Sequence, residues 1–165
     1  MKHAVRSAGT LLLMGTLMMG TGFAACAEEE VVEPAGYHVY ENTDDYASDT
    51  WYGIARGTYL KSGTCSLTKK DSTHAVCAGS TAAHSKCDRV YVRIYLDQSA
   101  TAKSGSWGTI NYWTGTASNA GTATASSGSY KVTKNQYYRV TGAHSVTKGT
   151  TTESTNSITS ALLFN

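Results

Sequence analysis

The nine residues Arg89-Val90-Tyr91-Val92-Arg93-Ile94-Tyr95-Leu96-Asp97 alternate without a break. Val90, Val92, Ile94 and Leu96 share one parity, and Tyr91, Arg93 and Tyr95 share the other. A period of two predicts a β-strand with one face in a core and one in water, because a helix would scatter the four aliphatic side chains around its circumference. The remaining segments are expected to pack around this strand.

Around it, Ser and Thr supply about a quarter of the chain, only 16% of residues are charged, and the single proline is Pro34. Thr, Tyr and Val favour strands, and the turns fall to Gly, Asn and Ser. Short strand signals follow from Tyr59 to Thr68, Thr73 to Ala78, about 88 to 98, Trp107 to Thr114, Tyr130 to Val132, Gln136 to Thr141 and Ile158 to Phe164. The first two are joined by the polar turn Lys69-Lys70-Asp71-Ser72. About seven strands without helical period predict an all-β, antiparallel sandwich of the immunoglobulin or fibronectin type III kind, with a small β-barrel as the alternative. A tyrosine early in a late strand, Tyr137 or Tyr138, suits the tyrosine corner of such sandwiches. Ala117–Ser129 is low in complexity and reads as a long mobile connection, with a weak edge strand as the alternative; Lys148–Asn156 reads as a polar loop.

At the N-terminus, Lys2 and Arg6 precede the apolar run Leu11–Met19, and Ala25-Cys26-Ala27 offers small residues for cleavage. Residues 1–27 therefore read as a secretory signal peptide. Phe23-Ala24-Ala25-Cys26 also resembles a lipobox, which would instead leave the protein lipid-anchored at Cys26. No segment reaches membrane-spanning length. Residues 28–50 are acidic and poor in aliphatics, and are expected to form a flexible linker before a domain over 51–165. From Thr50 onward 12 basic residues face four acids, a net of +8. Such a charge favours anionic partners. Nucleic acid is not expected for an exported chain without a basic cluster.

Beyond the leader the chain keeps Cys65, Cys77 and Cys87. Export favours disulfides, but an odd count leaves one thiol over. Cys65 and Cys77 lie symmetrically about Asp71, so a hairpin there would set them opposite each other. Any of the three pairs is open on spacing.

The strings Gly57-Thr58-Tyr59-Leu60, Gly63-Thr64-Cys65-Ser66, Cys87-Asp88-Arg89-Val90-Tyr91-Val92, Tyr137-Tyr138-Arg139-Val140 with Gly142 and His144, and Gly149-Thr150-Thr151-Thr152-Glu153-Ser154 together carry a likeness over roughly residues 53–165. They resemble a family of small secreted proteins of Gram-positive bacteria known as a domain of unknown function. The resemblance implies export and a β-sandwich, and implies no activity. Cysteines recur in that family at the positions of Cys65 and Cys87, which implies a bridge between them with Cys77 as the extra thiol.

Catalytic signatures are absent: there is no HExxH, GxSxG or P-loop. Asp88 and Asp97 are about 30 Å apart along one strand, too far for a glycosidase pair. His74, His84, His144 and Glu153 are the available metal ligands, with His144 and Glu153 expected at two ends of one loop, but their spacing fits no zinc signature, so structural roles and no metal or cofactor are expected. A Cys–His nucleophile from Cys77 or Cys87 with His84 or His144 is disfavoured by the expected disulfides. The remaining feature is a surface: Tyr91, Arg93 and Tyr95 from the central strand, joined by Tyr137 and Arg139 from a neighbour. Tyr and Arg are frequent binding anchors, and Arg grips carboxylate or phosphate bidentately. Trp107, Tyr112 and Trp113 are expected in the core. The sequence thus predicts a secreted non-catalytic binding module for an anionic cell-wall polymer or glycan. The alternatives are an extracellular protein-interaction module (adhesin or inhibitor) and a hydrolase with an unrecognised site.

Overall fold

The computed structural model describes residues 30–32, 34–54, 59–103 and 105–165. The leader, the Cys26 lipid site and the Gly57-Thr58 end of the family strings lie outside them. The described residues form ten strands and no helix: β1 (Glu30–Val32), β2 (Gly36–Asn42), β3 (Tyr46–Gly53), β4 (Leu60–Asp71), β5 (His74–Ser99), β6 (Gly108–Ser126), β7 (Tyr130–Lys131), β8 (Gln136–Lys148), β9 (Thr151–Ile158) and β10 (Leu162–Phe164). They make one sheet in the order β1-β9-β8-β5-β4-β3-β2, with β6 and β7 added on β5 and β10 on β8. All pairings are antiparallel except β1 with β9. The all-β expectation holds, and the sheet curls into a half-barrel whose two ends face each other across one core.

The curl is built into β5, which at 26 residues is several times the usual strand. Its first part, through Ala83, pairs with β4, and its second, from Arg89, pairs with β8. β6 follows it through both parts. Between Ala82↔Thr122 and Cys87↔Ala120, β5 carries Ala83 to Lys86 against Gly121 alone on β6, so the ribbon turns a corner there. Asn119, at φ 50°, bends β6 at the same place. Beyond the corner the ribbon closes on itself. A Cβ at Gly115 would lie 1.9 Å from the Thr124 carbonyl oxygen, and one at Gly79 2.4 Å from Ile94 Cγ2. The corner is as tight as it is because neither residue has a side chain.

The aliphatic parity of the central strand is buried as expected: Val90, Val92, Ile94 and Leu96 are all at 0% exposure. Leu60 and Leu67 of β4, Val140 and Val146 of β8, and Phe164 of β10 complete that core. Tyr138, not Tyr137, makes the corner-type bonds: its hydroxyl accepts the Thr133 N–H at 2.8 Å and donates to the Thr133 carbonyl at 3.2 Å. Its ring packs edge-on against Phe164.

Four segment readings change. The acidic stretch expected to be a linker forms β2 and β3, because the buried Asp49 carboxylate finds partners: His38 Nδ1 at 2.9 Å and the Ile158 N–H of β9 at 2.7 Å. The low-complexity stretch is the far half of β6, with β5 supplying its hydrogen-bond partners. Much of the expected polar loop 148–156 is β9, paired with β8. The hairpin after β4 turns at Ser72-Thr73, with Asp71 Oδ1 accepting the Thr73 N–H at 2.7 Å.

That shift of turn also displaces the cysteines. Cys65 faces Gly79, and Cys77 faces Leu67. Cys65, Cys77 and Cys87 are all free and buried, so the expected Cys65–Cys87 disulfide is not formed. Cys65 Sγ instead donates to the Val140 carbonyl of β8, while Cys87 sits at the corner of β5 with its Sγ toward the Ser85 carbonyl.

Candidate functional site

The outward parity of β5 presents the candidate site. Tyr91, Arg93 and Tyr95 alternate with the buried aliphatics, and antiparallel pairing lays β6 on one side of them and β8 on the other. The register sets Tyr112 opposite Tyr95, Thr114 opposite Arg93 and Thr116 opposite Tyr91 on β6. On β8 the corresponding neighbours are Thr141, Ala143 and Ser145. Small and hydroxylated flanks leave the rings and guanidinium groups standing above an otherwise low surface.

The cations and rings interleave. The Arg93 guanidinium lies 5.8 Å from the Tyr91 ring centre and 5.0 Å from that of Tyr112. Arg89 lies 4.9 Å from the other end of the row, over Tyr91. Tyr95 and Tyr112 approach at 6.3 Å in a tilted pair. Exposed cation–π contacts contribute about 0.5–1 kcal/mol each, enough to bias rotamers. Arg93 Nε also donates to Thr114 Oγ1 at 3.2 Å. The neighbouring Tyr95 hydroxyl raises the Arg93 pKa above its ordinary value, so the group is a permanent cation. Among the described residues neither Arg89 nor Arg93 has a carboxylate partner.

Arg139 and Tyr137 depart from the expected patch. Arg139 stacks 4.4 Å from the Trp107 ring centre, and its Nε lies 3.3 Å from Asp97 Oδ2. Asp97 is buried and accepts further hydrogen bonds from Thr109 at 2.7 Å and Thr141 at 3.0 Å. The Arg139 charge is therefore committed to a structural pair. Tyr137 lies at the far end of β8, opposite Ser99, where it lines a recess with Asn42, Lys69 and Leu163. In their place the structure adds Arg89 and Tyr112. Trp113, on the opposite parity, packs edge-on against Tyr130 beside the core, as expected. Tyr112, expected in the core with it, is exposed, because the alternation of β6 turns it to the outer face.

His144 and Glu153 are buried on adjacent strands rather than at loop ends. His144 Nδ1 lies 2.9 Å from Thr81 Oγ1 and Nε2 lies 2.8 Å from Ser157 Oγ, so both ring nitrogens are occupied. Burial pushes its pKa down to about 4. Glu153 Oε2 accepts the Tyr59 and Leu60 N–H groups at 2.7 and 2.6 Å. Burial also pushes the Cys65 and Cys77 thiols up to about 12. A neutral histidine among satisfied hydroxyls and a protonated thiol hold the two ends of the sheet together. Among the described residues no three His, Cys, Asp or Glu side chains gather as a metal site. No helix among them is long and apolar enough to cross a membrane. A second concavity, a groove of about 560 Å³, lies where β2 and β3 face β9, lined by His38, Tyr40, Trp51, Asn156 and Ile158.

A family model matches residues 25–162. The chain belongs to that family, the Family of unknown function (DUF6147). The DUF6147 match begins ahead of β1 and runs into β10, so the family unit includes the acidic β2–β3 hairpin that composition alone set apart as a linker. No curated protein and no solved structure matches the chain.

Proposed function

We propose that this protein is a secreted, non-catalytic binding module that holds an anionic polymer of the bacterial cell wall, or an anionic glycan, on the outer face of β5 and β6. One observation carries the reading: Arg89 and Arg93 lie over the rings of Tyr91 and Tyr112, and among the described residues no carboxylate pairs with them. A guanidinium held by aromatic stacking keeps its donor edge free for phosphate or carboxylate oxygens. Ordering it beforehand lowers the entropic cost of binding. The Thr and Ser residues on either side add neutral donors suited to hydroxyl-rich chains, and the open face suits an extended ligand rather than a small one.

The non-catalytic part of the proposal is supported by the state of the nucleophiles and bases. Cys65 and His144, which approach each other around Gly142, are buried, and burial holds each in its uncharged form at neutral pH. Secretion is supported by the leader pattern in residues 1–27.

The test is retention of the full chain on purified Gram-positive cell walls, before and after chemical removal of their anionic polymers, across a salt series. Retention that is lost on stripping and weakened by salt is expected, because exposed charge contacts are screened. Retention unaffected by stripping would overturn the proposal and point to a protein partner.

A further inference from the structure

The two ends of the sheet path differ in how they end. At one, β1 is three residues long and is followed closely by Pro34. At the other, β2 runs for seven residues in unbroken register with β3, without a bulge, a proline or a lysine. These are the devices that usually keep an edge from pairing, and β2 has none of them. Its exposed side chains are large and apolar: Tyr37, Val39 and Tyr40 are 52%, 43% and 57% exposed. Tyr52 and Ile54 on the chain's return extend the Tyr37–Val39 face, and Ile158 across the groove extends the Tyr40 face.

The backbone of β2 specifies what can pair with it. The Ile54 N–H donates to the Ala35 carbonyl and the Thr43 N–H to the Tyr46 carbonyl, so odd-numbered residues of β2 bond to β3. The N–H and C=O groups of Gly36, His38, Tyr40 and Asn42 therefore point away from the sheet. We infer that this edge pairs with the β2 strand of a second copy of the chain, antiparallel about a two-fold axis at Val39. In that register Gly36 meets Asn42 of the other copy and His38 meets Tyr40. Both couples are hydrogen-bonding pairs, and every outward backbone group of both strands is satisfied. An isologous contact needs this self-complementarity, and here it places Val39 at the axis as a non-hydrogen-bonded pair.

Charge selects the same arrangement. Within β2 Glu41 is the one acid, and Asp44 and Asp45 follow it in the hairpin turn. Antiparallel pairing sets Glu41 opposite Tyr37 of the other copy, whereas parallel in-register pairing would stack the two glutamates. On the groove side, the near-parallel His38 and Tyr40 rings, 5.8 Å apart, would continue into the Tyr40 and His38 rings of the second copy. On the other side Val39 would face Val39. The contact leaves the Arg–Tyr face of β5 uncovered, so it is independent of the binding proposed there.

Sedimentation equilibrium of the full chain tests the inference. The wild type is expected at twice the chain mass, and Val39→Lys, which sets two lysines face to face at the axis, at the chain mass with an unchanged circular dichroism spectrum. A wild type that stays at the chain mass at every concentration overturns the inference, as does a Val39→Lys variant that remains folded and dimeric. Register is read separately in a Cys26→Ser background, where the remaining native thiols Cys65, Cys77 and Cys87 are buried. Val39→Cys should form a disulfide-linked dimer under mild oxidant, since facing residues of a non-hydrogen-bonded pair are about 4.5 Å apart at Cα. Tyr37→Cys, which faces Glu41, should not. Equal cross-linking of the two, or none at Val39→Cys, overturns the inference even if Val39→Lys fails to fold.

Discussion

The Glu153 carboxylate of β9 accepts the backbone N–H of Leu60 at 2.6 Å, joining residues 93 positions apart at the start of β4. The same oxygen takes the Tyr59 N–H at 2.7 Å. Strand β4 thus begins on a charge supplied by the opposite end of the sheet.

Glu153→Ala leaves both N–H groups without their acceptor in a buried place and is expected to cost about 3 kcal/mol. Glu153→Gln keeps one carbonyl acceptor and should cost less than the alanine variant. Urea unfolding reads both as a lowered midpoint at unchanged slope. An alanine midpoint equal to wild type would mean that water replaces the carboxylate.

His144 gives the protein an acid limb. Its folded pKa, about 4, lies below the ordinary value of 6.5. The unfolded chain therefore binds the proton first as pH falls, and stability drops progressively from about pH 6.5 down to about 4. The full effect is about 3 kcal/mol at 1.36 kcal/mol per pH unit. Urea midpoints at pH 7, 6 and 5 should fall in that order. His144→Asn should be less stable at pH 7, yet nearly flat over the same range.

Two arginines that look alike in sequence should behave differently. Arg89→Ala with Arg93→Ala should abolish salt-sensitive retention on cell walls and lower the melting temperature by only a few degrees, because what the fold loses is the cation–π contacts and, among the described residues, no carboxylate pair. Arg139→Ala should cost about 1–2 kcal/mol, since it leaves the buried Asp97 without its cation, discounted for the partial exposure of the pair. Thermal melts beside the retention assay separate the two roles. Equal loss of retention in a fully folded Arg139→Ala protein would return that residue to the binding face.

The cysteines provide a check on packing. Cys65, Cys77 and Cys87 should all resist alkylation in the native protein and all react in denaturant, because burial both covers them and keeps them protonated. Mass spectrometry of the alkylated peptides counts them directly. Loss of Cys65 and Cys87 together from the denatured count would reveal a bridge formed on export and a local rearrangement of β4 or β5.

Sequence legibility followed how local the stabilising partners are. Val90 to Leu96 alternate within a single strand, so their burial could be read directly, and so could the outward place of Tyr91, Arg93 and Tyr95. Arg89 and Tyr112 stand outside the expected patch because no pattern marks which ring, on the same strand or on the neighbouring one, a guanidinium will lie over. Strict alternation through Asn111-Tyr112-Trp113 was the available signal for Tyr112. β2 and β3 were missed because Asp49 looks like solvated charge until His38 and the Ile158 N–H surround it. The far half of β6 is not legible because its Ala, Gly and Ser residues carry little strand preference and its Thr residues show no apolar alternation.

By itself, then, the sequence determined the β-class of the chain, the two faces of its central strand and the aromatic-basic character of the outer one, since side-chain alternation is fixed by the backbone of each strand alone. The tertiary structure alone decided that β5 turns a corner and serves both ends of one curled sheet. It also decided that Arg139 is committed while Arg93 is free, that the cysteines stay apart, and that β2 is left as an open edge. Each of these depends on which distant backbone comes within hydrogen-bonding or packing distance, down to the contact of Gly115 with Thr124, and no local periodicity records it.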